Sequence, residues 1–186
     1  MTKTELYRSL NYVDATREKR TQMASLISDN PDLIRPLLEI IFVEENPISS
    51  RAAWVLEFTL KKKLHYIYPH LDFFTSNLNS VRLDSSVRPL AKICEFLTKA
   101  YFSKTKSAAQ NVIQEKHLES ITAACFDWLI GDHKVAAKAY SMTSLLLLGQ
   151  KFDWIHPELK MVLEQNYSDG SAAYQARARM TLAKIK

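Results

Sequence analysis

The amino-acid sequence predicts an all-α fold, and three observations carry this prediction. The chain contains 3 glycines among 186 residues, well below the usual share of about 7%, which disfavours hairpin-rich folds and glycine-rich phosphate loops. Segment 48–60 places apolar side chains at the three- and four-residue spacing of an amphipathic helix, in Ile48, Ala52, Val55, Leu56 and Leu60. Residues 40–43 are β-prone, yet they continue the helical spacing of the leucines before them, so no strand is expected.

The first half of the chain is punctuated by helix start signals. Residues 3–28 predict a divergent helix pair that is split around Tyr12-Val13-Asp14. Asn30-Pro31 and Asn46-Pro47 each place a capping residue before a proline, which suits the first position of a helix. Asp84-Ser85-Ser86 offers a further cap. Together these signals predict helices over 31–45, 48–63, 69–78 and 86–104.

The second half combines a connecting stretch with further helices. Residues 103–114 begin with Ser103-Lys104-Thr105-Lys106-Ser107 and predict a flexible connection. Asp132 and Asp169 lie in expected turns, where helix capping is their predicted role. Gly131 and Gly149 follow apolar runs and predict helix ends. The helices expected here cover 115–130, 133–148, 157–166 and 171–186.

Internal repetition links these helices into pairs. The segment from Tyr66 to Leu71 aligns without gaps with the segment from Trp154 to Leu159, since both read aromatic, Ile, x, Pro, x, Leu. The second helix of each pair carries a central alanine that would let a neighbouring helix approach closely. These alanines, which are 39, 48 and 37 residues apart, are Ala52, Ala91, Ala139 and Ala176. A period near 40 residues predicts stacked helix pairs.

The second helices also carry a family resemblance. Segments such as Ser50-Arg51-Ala52-Ala53-Trp54-Val55-Leu56 and Ser86-Val87-Arg88-Pro89-Leu90-Ala91 resemble HEAT repeats, and the resemblance covers about 30–186. It implies an α-α superhelix, a right-handed solenoid of about four to five HEAT-like helix pairs whose second helices line the concave side. The chain is then one solenoid domain over 1–186, with residues 1–30 as its divergent N-terminal pair.

The formal net charge of +5 is unevenly divided between the two helix sets. Over the predicted ranges, the four first helices sum to −7 and the four second helices sum to +12. The last range, 171–186, contains Arg177, Arg179, Lys184 and Lys186 and no acidic residue. A basic concave surface would bind a polyanion through phosphate contacts. The expected binding residues are Arg51, Trp54, Arg88, Lys92, Lys138, Arg177 and Arg179.

Blander interpretations of the same residues stay open. Lysines such as Lys61-Lys62-Lys63 favour helix C-termini, where cations offset the helix dipole. The basic residues flank the central alanines in two stripes, as solvated helix faces would. Trp54, Trp128 and Trp154 recur in helical apolar faces and are expected to lie in the core. We therefore expect a non-catalytic binding or scaffold module whose partner is a protein or a nucleic acid.

Two enzyme classes are weighed against this module. The HEAT-like alkylpurine DNA glycosylases share the implied solenoid, but they use a concave Asp, and the second helices here carry only Glu57 and Glu95 as acids. The chain also resembles short bacterial proteins labelled adenylosuccinate lyase. That superfamily's signature loop, Ser-Ser-x-Met-Pro-x-Lys-x-Asn, is absent, because neither Ser49-Ser50 nor Ser85-Ser86 is followed by it. The sequence assigns no catalytic residue, and lyase activity is not expected.

Location, cofactors and further partners are also predicted. The N-terminus shows no secretory signal and the longest aliphatic run is Leu145–Leu148, which predicts a cytoplasmic protein without a membrane partner. Cys94 and Cys125 are isolated in apolar stretches and are expected to be buried free thiols. No metal-ligand spacing occurs, so no cofactor is expected. The end of the array at Lys186 without a capping repeat suggests a homodimer through the last helix pair.

Overall fold

A computed structural model of the chain describes residues 1–43, 46–81 and 83–185, and within these ranges it contains helices and no strand. The chain folds into two compact units, Met1–Ile93 and Cys94–Lys186. The first unit contains α1 (Lys3–Ser9), α2 (Arg17–Asp29), α3 (Ile34–Val43), α4 (Pro47–Leu60), α5 (Leu71–Ser76) and most of α6 (Asp84–Tyr101). The second contains the end of α6, α7 (Ala109–Val112), α8 (Glu115–Ile130), α9 (Val135–Leu148), α10 (Ile155–Gln165) and α11 (Ala172–Leu182).

The all-α prediction is confirmed, and the helices lie close to their predicted ranges. The break expected near Tyr12 is present, because a 3₁₀ turn over Leu10–Tyr12 ends there and α2 begins at Arg17. The β-prone residues 40–43 are helical, as expected. Glu44 and Glu45, which end one predicted helix, and Lys186, which ends another, lie outside the described residues. The connection after α6 contains a helical turn, α7.

One predicted helix is shorter than expected. Range 69–78 is divided between a 3₁₀ segment, Leu64–His70, then α5, then a second 3₁₀ turn, Leu78–Ser80. Pro69 lies inside the first 3₁₀ segment instead of opening an α-helix. Because proline has no N–H to donate, it interrupts the backbone ladder at this point, and regular α-helix begins only at Leu71.

The helix ends follow capping chemistry in some places and depart from it in others. Asn46 caps α4 as predicted, since its side-chain oxygen accepts from the Ile48 N–H at 2.8 Å. Asn30 instead closes the preceding helix, because its amide donates to the Leu26 carbonyl at 2.9 Å. The residues at the N-caps of α9 and α11 are Lys134 and Ser171. The capping roles expected for Asp132 and Asp169 are therefore wrong, because each lies two residues before the N-cap.

In the first unit, the helices contact one another in two sets. Helix α3 packs on α1, and Phe42 of α3 meets Phe73 and Phe74 of α5 edge to face, with ring centroids 6.0 and 6.2 Å apart. Helix α4 packs on α2 and α3, and the Trp54 indole of α4 donates to the Ser85 carbonyl of α6 at 2.9 Å. The later helix of each predicted pair, namely α2, α4 and α6, thus contacts its counterpart in the next pair.

In the second unit, α9 packs on α8, α10 and α11. Trp154, which precedes α10, stacks on Phe126 of α8 with centroids 5.8 Å apart, yet it remains 56% exposed. The core position expected for Trp154 is therefore wrong, because only one face of its ring is covered. Trp128 is buried, as expected. Cys94 and Cys125 are fully buried free thiols, as predicted. Burial raises the pKa of Cys94, and a hydrogen bond that its thiol donates to Cys125 raises this pKa further.

Candidate functional site

The strongest candidate site in the first unit surrounds Trp54. Arg51, Trp54 and Phe58 lie three and four residues apart on α4, so they share one face of that helix and are each half-buried. Arg20 of α2 and Arg88 of α6 approach this face from the neighbouring helices. We call these five residues the arginine–tryptophan surface. It borders the core, because Ala52, Val55 and Leu56 of α4 are fully buried.

Arg20 is the centre of this surface. Its guanidinium lies 4.4 Å from the centroid of the Trp54 ring and 5.9 Å from that of Phe58, a cation–π arrangement worth about 0.5–2 kcal/mol per ring according to its solvation. Its Nε donates to the Asp14 carbonyl at 3.2 Å. Burial lowers the pKa of Arg20, and the nearby Arg88 cation lowers it further. The surface therefore places two like charges close enough to repel each other.

The orientation of Trp54 is set by a gap in the backbone ladder of α6. Pro89 lies inside α6 and has no N–H, so the carbonyl four residues earlier, that of Ser85, has no donor from its own helix. The indole Nε1 of Trp54 donates to this carbonyl at 2.9 Å. The ring is thus fixed at one edge by the hydrogen bond and on one face by Arg20.

Carboxylates near the surface are already paired within the chain. Glu57 accepts from Arg88, with Nη2 and Oε2 2.6 Å apart, and Asp14 accepts from Lys19 at 2.8 Å. Arg51 donates to the backbone carbonyl of Asn11 at 3.1 Å. Within the described ranges, neither Arg20 nor Arg51 forms an ion pair. The surface therefore carries two guanidinium groups that form no described ion pair, although the Glu57 and Asp14 carboxylates attract the Arg20 cation from farther away.

An open groove of about 380 Å³ adjoins this surface. Trp54 and Arg51 form part of its wall, together with apolar side chains and a few polar groups from the α2, α4 and α6 ends. The other lining residues are Asp14, Ala15, Asn46, Pro47, Ser50, Leu83 and Ser85. The volume is within the range of about 300–1,000 Å³ that small-molecule sites occupy.

The other predicted binding residues are distributed over both units. Lys92 is half-buried on α6, one turn after Arg88. In the second unit, Lys138 lines a cavity of about 220 Å³. Arg177 donates to the Thr143 hydroxyl of α9, whereas Arg179 donates to the Tyr167 hydroxyl at 2.7 Å. Arg177 and Arg179 therefore make separate contacts and do not share one site.

Sequence reasoning missed Arg20 and Phe58. Arg20 lies in the divergent first pair, which the sorting of charge by helix did not include, and its contact with Trp54 joins residues 34 positions apart. Phe58 follows Trp54 by four residues on α4, so helical spacing alone could have placed it on the same face. If α2, the later helix of the divergent pair, had been included when the charges of the second helices were summed, Arg20 would have been counted among their cations.

A larger cleft of about 900 Å³ lies in the second unit, around the end of α9. It is lined by Lys99, Thr143, Leu146, Leu147, Gly149, Gln150, Asp153, His156, Pro157 and Lys184. His156 is fixed at this cleft, because its Nε2 lies 3.0 Å from the Leu146 carbonyl and therefore carries the proton as donor. The cleft mixes cationic, polar and apolar groups, and none of the expected binding residues lines it.

The residues singled out for enzyme chemistry are engaged in the structure. Glu57 pairs with Arg88, and Glu95, which is 2% exposed, pairs with Lys99 at 2.7 Å. The two Ser-Ser segments meet inside helices, since Ser50 lies 2.6 Å from Ser85 and 2.9 Å from Ser86, oxygen to oxygen. No group of three or more His, Cys, Asp or Glu side chains suited to a metal occurs among the described residues.

Comparison with protein families, with curated proteins and with solved structures finds no match to the chain. Among the described helices, none is long and apolar enough to cross a membrane. The residues and their geometry therefore carry the functional argument alone.

Proposed function

We propose that the chain is a non-catalytic binding module that recognises a polyanion, with nucleic acid as the favoured partner, through the arginine–tryptophan surface. A single observation carries this proposal: Arg20 lies over the fixed Trp54 ring, Arg51 lines the same groove as Trp54, and neither arginine forms an ion pair among the described residues. Half-buried guanidinium groups of this kind suit phosphate oxygens, which accept from the planar fork of arginine.

Electrostatic repulsion within the surface supports an anionic ligand. Arg88 repels the Arg20 cation, whereas Glu57 and Asp14 each attract it less strongly, and a phosphate beside Arg20 would add to this attraction. Aromatic rings next to these cations add a stacking face that every nucleobase can use. A purely apolar protein partner would leave Arg20 and Arg51 desolvated without a counter-charge, which is costly.

The wider architecture that we propose is the HEAT-like solenoid. The contacts of α2 with α4 and of α4 with α6, and those of α9 with α11, are the neighbour contacts that stacked second helices would make. Under this proposal the three helices of the first unit present their cations on one continuous inner surface. The remaining predicted residues, Lys92 in the first unit and Lys138, Arg177 and Arg179 in the second, would add positive charge to the chain without each contacting the ligand.

Fluorescence anisotropy with a labelled oligonucleotide tests the proposal. We expect binding to weaken about tenfold between about 50 and 200 mM salt, because two or three phosphate contacts release counterions. Arg51→Glu should weaken binding at both salt concentrations and reduce the salt dependence, since it removes one such contact and adds a repulsive charge. Arg20→Gln should weaken binding as well, with a smaller effect because no negative charge is added.

Lys160→Glu provides the matched control. Lys160 is an exposed cation on α10, so its reversal changes the net charge by the same amount as Arg51→Glu. The control should bind nearly as tightly as the unmodified chain. Binding that is absent at low salt, or that falls equally in Lys160→Glu and Arg51→Glu, would contradict recognition by this surface.

The glycosylase-type enzyme is the alternative function. It needs a carboxylate free to face a cationic base, whereas Glu57 and Glu95 are both ion-paired. Incubation of alkylated DNA with the purified chain, followed by analysis of released bases, separates the two functions. We expect no release; release that Glu57→Gln abolishes would favour the enzyme over the binding module.

A further inference from the structure

The groove beside Trp54 has the composition of a site for one planar group. Its apolar wall combines the indole with Ala15, Pro47 and Leu83, while Arg51 lies at the same groove. An apolar slot with a cation beside it matches a nucleotide, whose base is planar and whose phosphate is anionic. The volume of about 380 Å³ leaves room for one such group.

The ring that forms this wall is already ordered before any ligand binds. The Trp54 N–H is taken by the Ser85 carbonyl, and Arg20 covers part of the ring system. A ligand that contacts Trp54 therefore loses little additional side-chain entropy, which favours affinity. The hydroxyls of Ser50 and Ser85 bond to each other at 2.6 Å and keep this end of the groove polar.

We infer that the groove receives one unpaired nucleobase, so that the arginine–tryptophan surface prefers single-stranded over double-stranded nucleic acid. This inference rests on the proposed function and adds the form of the ligand. In a duplex the bases are paired and stacked on each other, so no base face is free to stack on Trp54. In a single strand a base can leave the stack and insert beside Trp54 while its phosphate meets Arg51.

Three labelled ligands of equal length test this inference: a single strand, a strand with the same backbone but no bases, and a duplex. We expect the single strand to bind about tenfold more tightly than the abasic strand, since stacking of one base provides a gain of this order. The duplex and the abasic strand should bind with similar, salt-dependent affinity through the phosphates alone.

Ala15→Phe fills the groove without changing the charge. We expect it to reduce single-strand binding to the level of the abasic strand while the salt dependence stays. Ala108→Phe, at another exposed alanine in the second unit, is the matched control and should bind as the unmodified chain does. Circular dichroism verifies that each variant is folded, and Trp54→Leu, which removes the wall itself, should give the same loss as Ala15→Phe.

The outcomes separate this inference from the proposed function. Equal affinity for the single and the abasic strands, or an equally tight duplex, would overturn the inference but leave salt-dependent binding of phosphates intact. Binding of none of the three ligands would overturn both. A groove-filled variant that keeps full preference for the single strand would show that the base binds elsewhere and would also overturn the inference.

Discussion

At the scale of single residues, Gly149 is needed because it has no side chain, and not because its backbone adopts an unusual conformation. No described residue, glycine included, has a positive φ. Gly149 ends α9 with φ −64° and ψ −9°, a conformation that any residue adopts. A Cβ added there would lie 2.0 Å from the His156 ring, which is fixed by its bond to the Leu146 carbonyl. Gly149 is therefore required by the close approach of an imidazole.

Gly149→Ala should destabilise the protein by about 1–3 kcal/mol, because the imidazole must move and overpacking is costly. The higher helix propensity of alanine works in the opposite direction but contributes less. In a His156→Ala background the same substitution should cost at least about 1 kcal/mol less, since the colliding ring is gone. Urea denaturation of the four proteins in this cycle measures the coupling. Equal costs in both backgrounds would contradict the steric explanation.

The Asp14 carboxylate accepts hydrogen bonds from the Thr16 hydroxyl and the Lys19 ammonium. Hydrogen bonds from Lys19 and then from Thr16 hold the pKa of this carboxyl well below its usual range. A depressed pKa contributes stability above the unfolded value of about 3.9, and the contribution is lost as the pH falls through the folded value. Because Lys19 belongs to the first turn of α2, this pair ties the start of α2 to the preceding loop.

Asp14→Asn should lower the melting temperature at pH 7, where the carboxylate is ionised, and the difference should shrink as the pH falls below about 4. Asparagine can still accept from the Thr16 N–H, so the loss reports mainly the charge. Lys19→Gln removes the same pair from the other side and should show the same dependence on pH. A difference that stays constant from pH 7 to pH 3 would argue against the ion pair as its source.

At the scale of elements, a proline in one helix determines a contact made by another. The gap that Pro89 leaves in α6 is filled by Trp54 of α4, so the two helices share a hydrogen bond that neither could form alone. The Glu57–Arg88 pair, one turn farther along, joins the same two helices. The contact between α4 and α6 thus rests on both a hydrogen bond and a charge pair.

Trp54→Phe should cost about 1 kcal/mol of stability beyond the loss of ring area, because the Ser85 carbonyl loses its donor. In a Pro89→Ala background this extra cost should largely disappear, since the N–H of the new alanine can bond to Ser85 within α6. Thermal unfolding of the four proteins provides the comparison. If Trp54→Phe lowers stability equally with alanine and with proline at position 89, the Ser85 carbonyl does not need the indole as its hydrogen-bond donor.

Much of the element pattern was predictable from sequence, because helix spacing and capping are local. The cap at Asn46 and the helical state of residues 40–43 depend on neighbours within one turn. What sequence could not provide were contacts between distant residues. The stacking of Arg20 on Trp54 and the meeting of Cys94 with Cys125 are of this kind.

At the scale of the whole molecule, the two buried free thiols, Cys94 and Cys125, allow local opening of the second unit to be measured. Cys94 lies in α6 and Cys125 in α8, and both are fully buried. Only a thiolate reacts with disulfide reagents, and burial, which raises the pKa of Cys94, reduces its thiolate fraction at neutral pH. Labelling must therefore wait for the structure around these residues to open.

Thiol labelling of the native chain should be at least about a thousandfold slower than labelling of the urea-unfolded chain, because opening of a core costs several kcal/mol. Ser168→Cys adds an exposed thiol in the turn before α11. In the folded variant, the thiol at position 168 should react as fast as it does in the unfolded chain, while Cys94 and Cys125 should stay slow. Mass spectrometry distinguishes the sites. Rapid native labelling of Cys94 or Cys125 would contradict their burial.

The Ser85 carbonyl, which Pro89 leaves without a backbone donor, also determines the axial alignment of α4 and α6. Apolar packing between helices tolerates sliding by about one turn, since a rise of about 5.4 Å brings similar side chains opposite one another. The hydrogen bond from Trp54 to Ser85 does not tolerate such a slide. Pro89 leaves the Ser85 carbonyl without a backbone donor, and a slide of one turn would take the indole N–H out of reach of this carbonyl. The position of Pro89 in α6 thus fixes where Trp54 can bond, and with it the axial alignment of α4 and α6. Moving proline and tryptophan together by one turn would preserve the alignment, whereas moving either alone would shift it.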